Sequence, residues 1–136
     1  MSGGGGILRS SEGRLLFAFS GFLGQCTSLQ AEAKALLLGL QLCVQRDFLE
    51  NLIIESDSLM LVRTLWQASR CPWSIDGEVE KILHLARRRV QVVHCYREAN
   101  TVADVLSNVG CAPIAQRICM YDTFANLPFL AQGAYL

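Results

Sequence analysis

Apolar segments of strand length, separated by a short polar link, form the first part of the chain, a pattern that is typical of β-strands. Two apolar segments, 4–9 and 14–23, are joined by the polar link 10–13, whose last residue is Gly13. A short polar link that ends in glycine predicts a β-hairpin. In the second segment every other residue from Leu15 to Phe19 is a large apolar one. This strand is therefore predicted to lie in a sheet that is covered on at least one side.

The spacing becomes helical between Thr27 and Arg46, where apolar side chains recur every three or four residues. Thr27 and Gln30 match a capping box, with the threonine as N-cap and the glutamine at N3. After this helix, the segment 51–56 has the composition of a short, buried strand in a parallel sheet.

The rest of the chain continues the alternation of helices and strands. The pattern predicts a helix at 57–68, a break at 71–73, a helix at 74–88, a strand at 90–96, a loop at 97–100 and a short helix at 103–109. From Cys111 onward, two prolines and scattered aromatic residues predict an irregularly packed tail. The order β-β-α-β-α-α-β-α indicates an α/β fold with a mixed sheet flanked by helices. The crossover between the last two strands is predicted to be parallel and right-handed.

The composition is typical of a folded domain whose net charge produces no strong electrostatic field. Of the 136 residues 51% are hydrophobic and 18% charged, and the formal net charge is zero. A nucleic acid would therefore have to bind through local patches such as Arg87-Arg88-Arg89. The alternative is that this triplet is a solvated helix end, where cations suit the helix dipole.

The cysteines and the N-terminal residues bear on the cellular compartment. Six cysteines show no CxxC spacing and no cluster with histidine, which favours reduced thiols in an intracellular, nuclear or cytoplasmic protein. Residues 1–6 lack the basic flank and apolar core of a secretory signal. The longest apolar run, 35–40, is too short to span a bilayer, so we expect no membrane partner.

Two carboxylates stand out from the helix and strand patterns. Glu32 shares a helical line with the apolar residues Leu36 and Leu40. It is therefore either paired, protonated or metal-bound, or it lies at the edge of the apolar stripe. Asp57 directly follows the strand 51–56, at the carboxyl edge where α/β sheets place their sites. The alternative is an N-cap, since aspartate is favoured there and a helix begins at this point.

Asp104 and His94 complete the set of candidates. Asp104 lies near the first turn of the last predicted helix, where it is either a solvated residue that suits the dipole or a ligand. His94 lies in a predicted strand, where a lone histidine is usually structural. Taken together, carboxylates from a helix, a strand end and a following helix can converge on one edge of the sheet. Oxygen donors of this kind suit Mg²⁺ or Mn²⁺ rather than Zn²⁺, and a pair of such ions supports phosphodiester hydrolysis.

The chain resembles the ribonuclease H-like domain, in particular the reverse-transcriptase-associated type of plant retroelements. The resemblance covers nearly the whole chain, with the ribonuclease H-like domain over 1–110 and a tail over 111–136. The matching residues are Gly4-Gly5-Gly6 with Gly13, Ala31-Glu32-Ala33, Glu55-Ser56-Asp57-Ser58, His94, Arg97-Glu98-Ala99-Asn100, Ala103-Asp104, and Tyr121-Asp122 with Leu127-Pro128.

This resemblance implies a mixed five-stranded sheet and hydrolysis of the RNA strand of an RNA–DNA hybrid by two Mg²⁺ (or Mn²⁺) ions. By motif match, Glu32, Asp57 and Asp104 are implied as catalytic, metal-ligating carboxylates. His94 matches the family's mobile histidine, which is implied in proton transfer or product release. The residues implied in nucleic-acid binding are Ser58, Arg97 and Asn100.

The chain departs from the family pattern at its start. The family's first strand carries an aspartate that contacts both ions, and this sequence starts at the Gly-rich strand that follows. We therefore expect the first, central strand and its acidic ligand to be missing. A strand edge beside 52–54 is then open to self-association, unless a partner copy or the tail fills the gap. Three alternatives follow: a hybrid-cleaving ribonuclease, a catalytically inactive nucleic-acid-binding remnant of a retroelement, or a protein-interaction module.

Overall fold

The computed structural model describes residues 2–48, 52–67, 69–86, 90–94 and 118–122, together with 106, 127 and 132. The chain divides into two compact units, Met1–Thr27 with Thr101–Leu136, and Ser28–Asn100. The strands and helices are β1 (Ser2–Arg9), β2 (Leu15–Gly24), α1 (Ser28–Gln45), β3 (Leu52–Ser56), α2 (Leu59–Leu65), α3 (Asp76–Ala86), β4 (Val90–His94) and β5 (Cys119–Tyr121). A 3-10 turn over Trp73–Ile75 precedes α3.

The first unit is built on an antiparallel sheet with the strand order β1-β2-β5. β1 and β2 form the predicted hairpin, and the Ser10 N–H donates to the Arg14 carbonyl at 2.8 Å in the link between them. Gly13 has a φ of +83°, a left-handed conformation that glycine adopts without strain. The middle of β2, residues 17–21, is buried, so this strand is covered on both faces.

The third strand of this sheet comes from the tail. β5 pairs antiparallel with β2, with Cys119 opposite Ser20. Ser20 is buried, and its hydroxyl lies 2.9 Å from the Tyr121 hydroxyl. The prediction of an irregular tail is therefore wrong for these residues, because a strand of three residues is too short to show an alternating pattern. This strand of the tail pairs with β2 and not with β3. The buried apolar cluster of the unit contains Ala18, Leu106 and Leu127.

The second unit combines a parallel pair of strands with three helices. β3 and β4 pair in parallel, as the sequence predicts for the crossover between them. α1 packs against α3, and α2 packs against β3 and β4. The apolar stripes of the helices supply the core, since burial of apolar surface is the main stabilising term. The buried helical residues are Ala33, Leu37, Leu40, Leu42, Cys43, Leu61, Val62, Thr64, Leu65, Val79, Ile82 and Ala86.

The predicted boundaries of α1 and β3 agree with the structure to within one residue, and those around α2 differ. β4 begins at the predicted residue, Val90, and the predicted end at 96 lies outside the described residues. α2 ends at Leu65 because the chain leaves the helix at Gln67, whose φ is +60°. The helix predicted at 103–109 lies outside the described residues except for Leu106, which is helical and buried. Within the described ranges, no helix combines the length and apolar character needed to cross a lipid bilayer.

Candidate functional site

The carboxyl ends of β3 and β4 bring two of the candidate residues to one edge. The parallel register ends with Ser56 opposite His94. Neighbouring strands lie about 4.8 Å apart, and Asp57 follows Ser56 directly, so Asp57 and His94 share this edge. Both residues are half-buried. The carboxyl ends of parallel strands are where open α/β sheets bind their ligands.

Two serine hydroxyls organise the chain around Asp57. Ser58, with φ −87° and ψ 99°, is the N-cap of α2, and its hydroxyl accepts the Leu61 N–H at 3.3 Å. The Ser56 hydroxyl accepts the Ser58 N–H at 3.1 Å. The alternative that Asp57 caps this helix is therefore not realised, because Ser58 takes that role. Aspartate and serine are equally favoured at an N-cap, so their order along the chain does not distinguish them.

Glu32 lies in α1, in the same compact unit as Asp57 and His94. It is half-buried, whereas Leu40 and Cys43 further along its helical line are buried. Glu32 thus lies at the border of the apolar stripe rather than inside it. Position at the border lets a carboxylate keep part of its hydration, which avoids the cost of burying a charge.

The described side chains do not make up a metal centre by themselves. Among them, no group of three or more histidine, cysteine, aspartate or glutamate residues is arranged to hold a metal ion. Glu32, Asp57 and His94 therefore do not form a ligand set without a further donor. Asp104 lies outside the described residues, as do the predicted nucleic-acid contacts Arg97 and Asn100 and the triplet at 87–89.

Two contacts near the site were not predicted. The indole N–H of Trp66, at the end of α2, donates to the Val92 carbonyl of β4 at 2.7 Å, two residues before His94. Its partner is 26 residues away, so no local sequence signal marks this bond. The Ser56 hydroxyl bond, in contrast, follows a known local pattern, in which a serine accepts the N–H of the residue two positions later. A search for such turns after predicted strands would have found it.

Solved structures of ribonucleases H have similar folds. A ribonuclease H1 from the halophilic archaeon Halobacterium salinarum has a TM-score of 0.73 and 23% identity, over 79% of this chain and 83% of that one. A ribonuclease H1 isolated from compost by a metagenomic approach has a TM-score of 0.73 and 28% identity, over 80% of this chain and 83% of that one. The N-terminal ribonuclease H domain of a Mycobacterium tuberculosis protein has a TM-score of 0.60 and 18% identity, over 81% of this chain and 90% of that one. The chain therefore has a ribonuclease H-like fold.

Comparison at the sequence level identifies the family. No curated protein sequence matches the chain. The model of the reverse transcriptase-like family matches residues 1–110. Because this match spans more than half of the 136 residues, the chain belongs to the reverse transcriptase-like family.

Proposed function

We propose that this chain is a ribonuclease H-like domain that binds RNA–DNA hybrid duplexes at the edge where β3 and β4 end. The observation that carries the proposal is the register of these strands, in which His94 is opposite Ser56, the residue that precedes Asp57. A fold in common with a ribonuclease H1 at 28% identity supports it. Duplexes with A-like geometry are recognised mostly by shape and backbone, so we expect no preference for base sequence.

Metal-dependent hydrolysis of the RNA strand is the proposed ancestral reaction of this site. Glu32, Asp57 and Asp104 are the proposed ligands for Mg²⁺ or Mn²⁺, since these hard ions prefer carboxylate oxygens. His94 is the residue proposed to help proton transfer or product release, since an imidazole ring carries two nitrogens that can take part in hydrogen bonds.

Ser58, Arg97 and Asn100 are the proposed contacts to the nucleic acid. The Ser58 hydroxyl accepts the Leu61 N–H through one lone pair, which leaves its O–H able to donate to a phosphate oxygen. The Arg97 guanidinium offers the planar donor geometry that suits phosphate. These contacts are few, which agrees with a chain of zero formal net charge.

The binding arm of the test compares three labelled nucleic acids that share one base sequence. Fluorescence anisotropy with an RNA–DNA hybrid, a DNA duplex and a single-stranded RNA should give the tightest binding for the hybrid. If Arg97 and the triplet at 87–89 supply the phosphate contacts, log K should fall with log salt at a slope of about −3.6. Arg97→Ala should reduce the magnitude of this slope by about one. Equal affinity for all three nucleic acids, or none, would overturn the proposal.

The cleavage arm uses the same hybrid in Mg²⁺ and in Mn²⁺. Asp57→Asn should abolish any cleavage, because it removes a proposed ligand charge while keeping the size of the side chain. Asp47→Asn is the matched control, since Asp47 is exposed and its φ of +60° is a conformation that asparagine tolerates. Loss of cleavage in the first variant alone supports hydrolysis at this site.

A catalytically inactive nucleic-acid-binding domain derived from a retroelement is the second candidate. The observation that favours it is that the described residues contain no group of three metal-ligating side chains. Hybrid binding with the expected salt dependence, and no cleavage in Mn²⁺ by protein shown to be folded, would support this candidate over the first. Self-association through a sheet edge stays a prediction, and sedimentation velocity over a range of concentrations tests it.

A further inference from the structure

The turn that follows β3 closes around Asp57. The hydrogen bond from the Ser58 N–H to the Ser56 hydroxyl, at 3.1 Å, spans the residue between them. Asp57 is that residue, so its backbone cannot rotate freely while the bond is made. Turns of this type fix the dihedral angles of the enclosed residue through the side chain that precedes it.

The same two serines supply the local acceptors at the start of α2. The Ser56 hydroxyl oxygen accepts a hydrogen bond from the Ser58 N–H, and the Ser58 hydroxyl oxygen accepts one from the Leu61 N–H. An aspartate in this position competes for such N–H groups, since aspartate is as good an N-cap as serine. With the serines in these roles, these two N–H groups have acceptors other than the Asp57 carboxylate.

Ser56 also connects the turn to the neighbouring strand. It is the last residue of β3 and pairs in register with His94, the last residue of β4. The position of Asp57 relative to His94 therefore depends on the turn that Ser56 closes. Nothing in the family resemblance gives Ser56 a role.

We infer that Ser56 is a positioning residue, whose hydroxyl holds the Asp57 side chain in one rotamer at the edge it shares with His94. The functional part of this inference rests on the proposed function. Without the hydroxyl, the turn opens and the Asp57 side chain exchanges between rotamers, one of which turns toward the N–H groups of α2. Ser56 acts through Asp57 and needs no contact with the nucleic acid.

The matched pair Ser56→Thr and Ser56→Val tests the inference, because these side chains have the same shape and only threonine keeps the hydroxyl. NMR three-bond couplings of the Asp57 side chain report its χ1 rotamer without any need for activity. We expect one rotamer in the wild type and in Ser56→Thr, and averaged couplings in Ser56→Val. Amide exchange at Ser58 should be about tenfold faster in the valine variant, as expected for the loss of one hydrogen bond. Identical Asp57 couplings in the two variants would overturn the inference.

Hybrid cleavage gives the functional readout. In Ser56→Val we expect kcat to fall about tenfold with KM changed by less than about twofold, and we expect Ser56→Thr to restore kcat. Equal kcat in the two variants overturns the functional part of the inference. If the wild type neither binds nor cleaves the hybrid, the proposed function fails, and if it binds without cleaving, the functional part of this inference fails. In both cases the couplings still decide the role of Ser56. Should Ser56→Val fail to fold, Ser56→Ala replaces it in both measurements.

Discussion

Gly6, in the first unit, is a position where an added methyl group has too little room. It pairs with Phe19 across the hairpin, and a Cβ on Gly6 would lie 2.5 Å from Cε1 and 2.8 Å from Cζ of the phenylalanine ring. Carbon atoms in contact are normally about 3.5–4.0 Å apart, so the ring would have to move by about 1 Å. Phe19 is only 4% exposed, which leaves it little space for this movement.

We therefore expect Gly6→Ala to lower the free energy of unfolding by about 2 kcal/mol, a typical cost of overpacking a core. For a chain of this length that corresponds to a decrease in Tm of about 8 °C. Urea unfolding followed by far-UV circular dichroism is the suitable assay. Tryptophan fluorescence is less direct, because Trp66 and Trp73 both belong to the unit 28–100, whereas Gly6 belongs to the other.

Two other glycines provide controls for the same change. A Cβ on Gly77 in α3 meets nothing within 4 Å, so Gly77→Ala should stabilise the protein by about 0.5 kcal/mol through helix propensity. Gly13 also has open space but a φ of +83°, so Gly13→Ala should cost about 1 kcal/mol from backbone strain alone. Phe19→Leu should remove most of the penalty of Gly6→Ala in a double-mutant cycle. If Gly6→Ala is as stable as Gly77→Ala, the steric argument is wrong.

Three further changes test contacts and titration in the second unit. Trp66→Phe removes the donor to the Val92 carbonyl and should cost about 1 kcal/mol in urea unfolding, and an unchanged midpoint would mean that water replaces the bond fully. Gln67→Gly should stabilise the protein by about 0.5–1 kcal/mol, because it relieves the φ of +60° after α2; a lower Tm would contradict this. Burial raises the pKa of the Cys43 thiol from 9.0 to about 11, so the folded state favours the protonated thiol. The stability from this group is fully present below pH 9.0 and is lost as the pH rises to about 11. Cys43→Ala should flatten this part of the stability curve.

Local signals in the sequence predicted the elements that local interactions form. The hairpin follows from the polar link and Gly13, and α1 follows from a long apolar stripe that begins after Thr27. The parallel pairing of β3 and β4 follows from the helices between them, since parallel strands need a crossover. In each case the residues that determine the element lie within it or beside it.

Contacts between distant segments were not predictable in the same way. β5 has only three residues, and the bond between Ser20 and Tyr121 joins positions 101 residues apart. At the site, the sequence predicted that Asp57 lies at a strand end but left open whether it caps α2. Whether Asp57 or Ser58 caps α2 depends on the residue at which the helix begins. A sequence pattern locates a helix end only to within one or two residues. The hydroxyl bonds of Ser56 and Ser58 decide it.

The sheet β1-β2-β5 has a consequence for synthesis of the protein on the ribosome. Its hairpin ends at Gly24, whereas β5 begins at Cys119, and the whole second unit lies between them. At about 5–20 residues per second, the hairpin waits roughly 5–20 s for its third strand. During that interval the edge of β2 that later receives β5 has no partner from its own chain, and it is open to chaperones or to neighbouring nascent chains. The sheet whose first two strands are synthesised early is thus completed last, after the continuous segment 28–100 has had time to fold.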